Sequence, residues 1–204
     1  MLFVMVVLGL LSMLGGRYLK IGRARSLDAM RRRVSGECRC RLECMAHSVQ
    51  GRLVEGPALE TPEGRIELVA SDAPANWVVD TTKFEAAVGF KHVLNVVSHR
   101  DADRAIRSKA VRPVEVQDPE VASGHRVFSS DETFARAVVT AGLIQAMVAL
   151  DAAVRARTML RTGGGRATVI ANRGLAEPAE LKAFHDGCVG LVALLGLVRG
   201  GEVE

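Results

Sequence analysis

The feature that most constrains this chain is an uncharged apolar run at its start, Met1–Leu14, followed directly by a strongly basic segment. A helix needs about 20 residues to cross a bilayer. Extending this one to Ile21 gives about 31 Å at 1.5 Å per residue, with Arg17 and Lys20 reaching the interface through their long side chains. We therefore predict a transmembrane helix over residues 1–21.

Two other interpretations of the apolar run stay open. A secretory signal peptide carries its charges before the apolar run and a small-residue cleavage site after it. Here the charged residues follow the run and no Ala-x-Ala site is present, so we favour the anchor. A cleaved segment would leave a secreted or periplasmic domain. The third interpretation is a buried helix of a globular domain.

The basic segment accounts for the charge of the whole chain. From residue 17 to residue 33 it has seven cations and one acid, a net charge of +6, whereas the whole chain carries +4 and the remainder therefore −2. Each cation near an anionic lipid surface contributes about 1 kcal/mol of attraction. We predict a lipid-facing basic collar, and no nucleic-acid partner, from Arg17, Lys20, Arg23, Arg25, Arg31, Arg32 and Arg33.

The charges also predict an orientation and a domain plan. Basic residues flank transmembrane helices on the cytoplasmic side, so we expect a single-pass protein of the inner membrane with a cytoplasmic domain. Residues 22–33 form the juxtamembrane linker, and residues 34–204 form one globular domain. About 170 residues are enough for an ordinary core.

The first part of that domain has the alternating pattern of half-buried strands. Cys38, Cys40, Leu42 and Cys44 alternate with polar or flexible residues, which predicts a strand. Turn residues such as Pro57 and Gly64 separate further short segments. The strands predicted after the first cover residues 51–55, 65–70, 77–80, 92–97, 111–116 and 125–128.

The second part is predicted to be a helix, a hairpin and a helix. Ser129 and Glu132 have the spacing of a capping box, and the helix they open should run to about Leu150. Residues 154–160 and 166–171 form a hairpin around a glycine turn. A last apolar helix runs from Pro178 to residue 198. The fold class is α+β, a mainly antiparallel sheet followed by this half, with both helices covering one face of the sheet.

Candidate chemistry is sparse. Cys38, Cys40, Cys44 and His47 have the composition of a metal site. In a strand, however, Cys38 and Cys44 lie about 20 Å apart, whereas the ligands of zinc must surround one point. We therefore expect buried, free cysteines, with no metal and no cofactor.

Two other segments are weaker candidates. The imidazole and carboxylates of residues 99–103, His99 to Asp103, lie in a polar loop suited to general acid–base chemistry. Arginines 155, 157, 161 and 166 are predicted to give one face of the hairpin a positive charge, suited to phosphate or lipid head groups. The leading hypothesis is a non-enzymatic interaction module with an unknown protein partner. The alternative is an enzyme or metal-binding domain that uses residues 38–47 or 99–103.

The C-terminal half resembles uncharacterised bacterial membrane-anchored proteins. The likeness rests on Arg126-Val-Phe-Ser-Ser-Asp-Glu-Thr-Phe-Ala-Arg-Ala-Val, on the glycine-turned hairpin and on Glu177-Pro-Ala-Glu-Leu. In those proteins a strand and a Ser/Asp cap precede a helix, a hairpin and a final apolar helix. The resemblance implies this architecture and an N-terminal anchor, and it implies no activity.

Overall fold

The computed structural model describes residues 32–70, 79–98, 111–116, 124–175 and 177–197. Within them the chain forms four helices, α1 (residues 32–46), α2 (Glu132–Val138), α3 (Ala141–Val154) and α4 (Pro178–Leu197). The nine strands are β1 (Arg52–Leu53), β2 (Ala58–Glu60), β3 (Arg65–Ala70), β4 (Val79–Ala87), β5 (Leu94–Ser98), β6 (Arg112–Val114), β7 (His125–Ser129), β8 (Thr158–Gly163) and β9 (Arg166–Ala171). The predicted α+β class is confirmed.

The strands form one antiparallel sheet in the order β1-β2-β3-β4-β9-β8-β5-β7-β6. Every neighbouring pair is antiparallel, as the short alternating segments predicted. The late hairpin β8–β9 is inserted between β4 and β5, so strands from the first part of the chain lie on both sides of it. Side chains that are far apart in sequence therefore become neighbours on the sheet.

The helices cover one face of this sheet, as predicted. Buried side chains from alternate strand positions, among them Phe84, Leu160 and Val169, belong to the same core as Leu143 of α3 and Phe184 of α4. The spacing also predicts an apolar stripe on α4, and its members Leu181, Phe184, Cys188, Leu191 and Leu195 are all buried, while the last member, Val198, lies outside the described residues.

The strand predicted around Cys38 is wrong, because this segment is the helix α1. Its buried residues recur at helical spacing, at Cys38, Leu42 and Met45. The same sequence also alternates with period two, and contact with the rest of the core decides between the two patterns. Two exposed ion pairs, Arg33–Glu37 and Arg39–Glu43, each join residues one helical turn apart and stabilise the helix modestly.

The single helix predicted from Ser129 is interrupted. Ser129 ends β7, and the side chain of Asp131 caps α2 by accepting a hydrogen bond from the Phe134 amide at 3.0 Å. The helix stops at Val138, and Thr140 opens α3 by accepting from the Leu143 amide at 3.3 Å. Two β-branched residues precede a threonine that caps well, which favours a break over a continuous helix.

Two strand boundaries also differ from the prediction. The short strand expected at 77–80 becomes β4, which continues to Ala87, and the strand expected at 154–160 begins at Thr158 because α3 continues to Val154. The hairpin itself is confirmed. Gly164 and Gly165 have positive φ values of 59° and 78° at its turn, a conformation that glycine adopts without steric cost.

The predicted membrane anchor, residues 1–21, lies outside the described residues. Among the helices that the structure describes, none is long and apolar enough by itself to cross a membrane. Together, α2 and α3 satisfy the length and composition criteria, with a bend of 67° between them.

We predict that Gly64→Ala destabilises the fold by about 1–3 kcal/mol, the usual cost of overpacking. A methyl group at Gly64 would lie 2.5 Å from the Glu85 carbonyl oxygen and 2.7 Å from Cζ of Phe84. Gly190→Ala is the matched control, because no atom lies within 4 Å of its added methyl group. This change in an exposed helix position should stabilise by up to about 1 kcal/mol. Urea denaturation measures both, and equal midpoints would contradict the packing around Gly64.

Candidate functional site

The face of the sheet that points away from the helices is the strongest candidate surface. Successive strand residues point to opposite faces, so burial of one set in the core turns the other set outwards. About half of the outward residues on β3, β4 and β9 are charged, and these five line a shallow open pocket of about 270 Å³: Arg65, Glu67, Lys83, Glu85 and Arg166. We call this surface of β3, β4, β9, β8, β5 and β7 the outer face.

Glu85 is the centre of the charged group. Its carboxylate pairs with Lys83 at 2.6 Å on the same strand and with Arg166 on the neighbouring strand β9. Across the β3–β4 ladder, Arg65 lies opposite Glu85 and Glu67 lies opposite Lys83. Each of these cross-strand pairs joins a basic residue with an acidic one, and opposite charges at directly paired positions stabilise a sheet.

The electrostatics of Glu85 follow from these contacts. The hydrogen bond from Lys83 lowers the pKa of its carboxyl group most, and the contact with Arg166 lowers it further, against the opposing effect of partial burial. Glu85 is therefore held as a carboxylate. Its side chain is only 19% exposed, whereas that of Arg166 is 70% exposed and available to solvent.

Two charged residues of this face have no ion pair among the described residues. The guanidinium of Arg65 and the carboxylate of Glu67 lie on the same side of β3, two residues apart. Arg65 is exposed and Glu67 is half-buried. A partner with an acidic and a basic group at similar spacing can pair with both, and charge matching of this kind sets the specificity and rate of association.

Apolar side chains continue the outer face beside the charges. Val69 is 39% exposed, and Val97 and Phe128 form a second apolar cluster with Val111 and Met159. This cluster is separate from the core under the helices. Val97 is 0% and Phe128 is 3% exposed, so the outer face has a charged half on β3, β4 and β9 and a half on β8, β5 and β7 whose apolar cluster is largely buried.

The cysteine segment, predicted to be a strand with buried thiols, is a helix in which two of the three thiols are exposed. Because residues 38–46 are helical, the expected 20 Å separation along a strand does not apply. Cys38 is buried on the core side of α1, whereas Cys40 and Cys44 are exposed and free. Burial raises the pKa of the Cys38 thiol, and it raises that of Cys188 in α4 well above the ordinary range. Among the residues described, no group of three His, Cys, Asp or Glu side chains is placed so that it could hold a metal ion.

Most of the other predicted site residues lie outside the described part of the chain. These are His99 to Asp103 and the collar residues Arg17, Lys20, Arg23, Arg25 and Arg31. The last two collar residues, Arg32 and Arg33, are exposed at the beginning of the described part of α1. Arg33 pairs with Glu37 one turn along the helix at 3.1 Å.

Of the four arginines predicted to share one hairpin face, only two lie on the strands of the hairpin. Arg161 and Arg166 are outward residues of β8 and β9. Arg155 ends α3 in a left-handed conformation with φ 49°, and Arg157 precedes β8. The glycine segment joins two paired strands, which agrees with the hairpin rather than a phosphate-binding loop at a helix start.

Sequence reasoning missed a polar cluster around His185 of α4, which is 5% exposed. Its Nε2 lies 3.2 Å from Oγ1 of Thr61 and 3.6 Å from Glu63, and its Nδ1 lies 3.1 Å from Asp186. Its ring also meets that of Phe84 edge-on at 5.8 Å. The cluster fastens the turn between β2 and β3 to α4. Thr61 and His185 are 124 residues apart, so no local pattern indicates their contact.

Replacing Glu85 by Gln should lower stability at neutral pH by about 1 kcal/mol, the size expected for a partly exposed ion pair. The folded state depresses the pKa of Glu85, so its stabilising contribution is present above the unfolded pKa of about 4.3 and is lost as the pH falls through the folded value. The difference between wild type and Glu85→Gln should therefore shrink below that pH. Chemical denaturation at several pH values measures it.

Glu67→Gln is the control for this experiment, since Glu67 is a nearby carboxylate of the same face without an ion pair among the described residues. It should change stability little at any of these pH values. A difference for Glu85→Gln that stays constant from neutral to acidic pH would contradict the ion-pair network.

Comparisons with known proteins were made for both sequence and structure. No protein-family model and no curated protein matches the sequence. Among solved structures, the crystal structure of the mycobacterial trehalose monomycolate transport factor A, TtfA, aligns with a TM-score of 0.43 and 13% sequence identity, over 71% of this chain and 69% of that one. A likeness at this level carries no inference about what this chain does.

Proposed function

We propose that this chain is a membrane-tethered, non-enzymatic domain that binds a protein partner through the outer face of its sheet. The observation that carries the proposal is the composition of that face. It places five charged residues around one open pocket on β3, β4 and β9, beside the exposed side chain of Val69.

The charged half supplies specificity. Lys83, Glu85 and Arg166 hold one another in place, so they are already ordered before a partner binds and little conformational entropy is lost on association. Arg65 and Glu67 then offer one positive and one negative group to the partner. Beside them, the exposed side chain of Val69 offers apolar surface whose removal from water favours binding at about 25 cal/mol per Å².

The tether is the apolar segment 1–21, with the basic collar against anionic lipid. Support comes from the charge distribution, since the net positive charge is confined to residues 17–33. The last collar residues lie on α1, which packs on the core through Leu42 and Met45, so the collar is joined to the domain without a long loop. On this proposal the domain is cytoplasmic, and a reporter fused after Glu204 that works only on the outer side would contradict that orientation.

Neutralising the collar should weaken binding of the full chain to anionic membranes. In a variant with Arg17, Lys20, Arg23 and Arg25 changed to Gln, four attractions of about 1 kcal/mol each are lost. The preference for vesicles containing anionic lipid over neutral vesicles should fall by at least tenfold in a flotation assay. Added salt should reduce the wild-type preference in the same direction, because ions screen the attraction.

The matched control neutralises cations of the outer face, Arg65 and Arg166, in the same assay. If the outer face binds protein rather than lipid, this variant should float as wild type does. Deleting residues 1–21 should release the chain from neutral vesicles, whereas the five collar cations that remain should keep part of its binding to anionic vesicles. Retention of the deleted chain on neutral vesicles would contradict the anchor, and equal losses from collar and outer-face variants would contradict the division of roles.

A further inference from the structure

Cys40 and Cys44 lie at the most exposed side of α1. The residues of α1 that contact the core, Cys38, Leu42 and Met45, define its inner side. At 100° per residue, Cys40 and Cys44 lie on the opposite side of the helix, one turn apart. Both are exposed and neither forms a disulfide. His47 is exposed in the turn that follows the helical segment.

Two exposed thiols on one helix side call for an explanation, because cysteine is among the residue types most often fully buried. The other two cysteines follow that rule: Cys38 is 1% and Cys188 is 0% exposed. Burial as a small apolar side chain explains Cys38 and Cys188 and does not explain Cys40 and Cys44. The exposed pair is therefore free to serve as ligands.

The spacing suits a metal ion. Side chains four residues apart on a helix have Cβ atoms about 5–6 Å apart, so both sulfur atoms can approach one ion. Thiolate is a preferred ligand of zinc, which in closed sites takes four ligands in a tetrahedron. One chain offers only two here, because no group of three suitable ligands exists in the described residues.

We propose that α1 helices of two copies of this chain bind one zinc ion between them, with Cys40 and Cys44 of each copy as the four ligands. The two copies contribute the same pair of residues, which is the arrangement of a two-fold symmetric contact. Each thiol loses its proton on binding, so one zinc ion displaces four protons. The site lies on α1 and is independent of the partner surface on the outer face.

The test uses the full chain in detergent, freed of metal and kept reduced with a phosphine so that no disulfide forms. Zinc is titrated while sedimentation equilibrium reports the mass. The expected result is a monomer-to-dimer transition that saturates at one zinc ion per two chains. Cobalt in place of zinc should give the sulfur-to-cobalt charge-transfer absorption and the visible bands of a tetrahedral site.

Three variants connect the result to these thiols. Cys40→Ser and Cys44→Ser should each abolish zinc-dependent association, and because both positions are exposed the fold should be unaffected, as circular dichroism checks. Placing the second thiol one turn before Cys40, instead of one turn after it, should restore zinc-dependent association. Gly36 is exposed and a side chain there meets no atom within 4 Å, so the double variant Gly36→Cys, Cys44→Ser again has two thiols four residues apart.

The control with the same number of thiols in the wrong place is Ser35→Cys, Cys44→Ser. Its thiols lie five residues apart and about 140° around the helix, so it should not associate with zinc. The proposal is overturned if wild type does not bind zinc, if it binds one ion per chain while remaining monomeric, or if Cys40→Ser and Cys44→Ser associate as wild type does.

Discussion

The burial of one face of the sheet against α1, α3 and α4 is the constraint on which the rest of the structure depends. Removing each large apolar side chain of the core from water contributes about 1.5–3 kcal/mol. Phe84 of β4, fully buried beneath α4, belongs to this core. Because side chains alternate along a strand, fixing Phe84 inwards also turns Lys83 and Glu85 outwards. Packing of the core therefore determines which charged side chains lie on the outer face.

The polar cluster at His185 secures one edge of this arrangement. The turn between β2 and β3 has few apolar residues of its own, and its contact with His185 ties it to α4 through Thr61. Gly64 in the same turn approaches Phe84 so closely that no side chain fits. The β2–β3 turn, which leads directly into Arg65, is thus held by contacts of one imidazole and one glycine in addition to the strand pairing of β3. Partial burial has the largest single effect on the pKa of Asp186 and raises it, but the hydrogen bonds and positive charge of Lys182 and His185 together lower it below its ordinary value, which keeps a carboxylate beside the imidazole.

The sequence predicts the parts of this fold that have one dominant period. The last helix has a single apolar stripe, and the hairpin has a glycine turn, so both were identified correctly. The segment around Cys38 has apolar residues that satisfy period two and helical spacing alike, and only its contact with the core selects the helix. The break at Val139 was missed because the apolar positions on either side remain near helical spacing. The outer-face site could not be predicted, since Glu85 and Arg166 are 81 residues apart and meet only when the late hairpin enters the sheet.

The central claim is that the outer face, rather than the helical face, contacts a partner in the cell. A photo-reactive amino acid in place of Thr168, which lies opposite Glu85 in the sheet, tests it directly. The comparison site is Ala152, an exposed residue of α3. The claim predicts a cross-linked adduct of one discrete mass from position 168 and none from position 152. No adduct from position 168, or the same adduct from both positions, would contradict it.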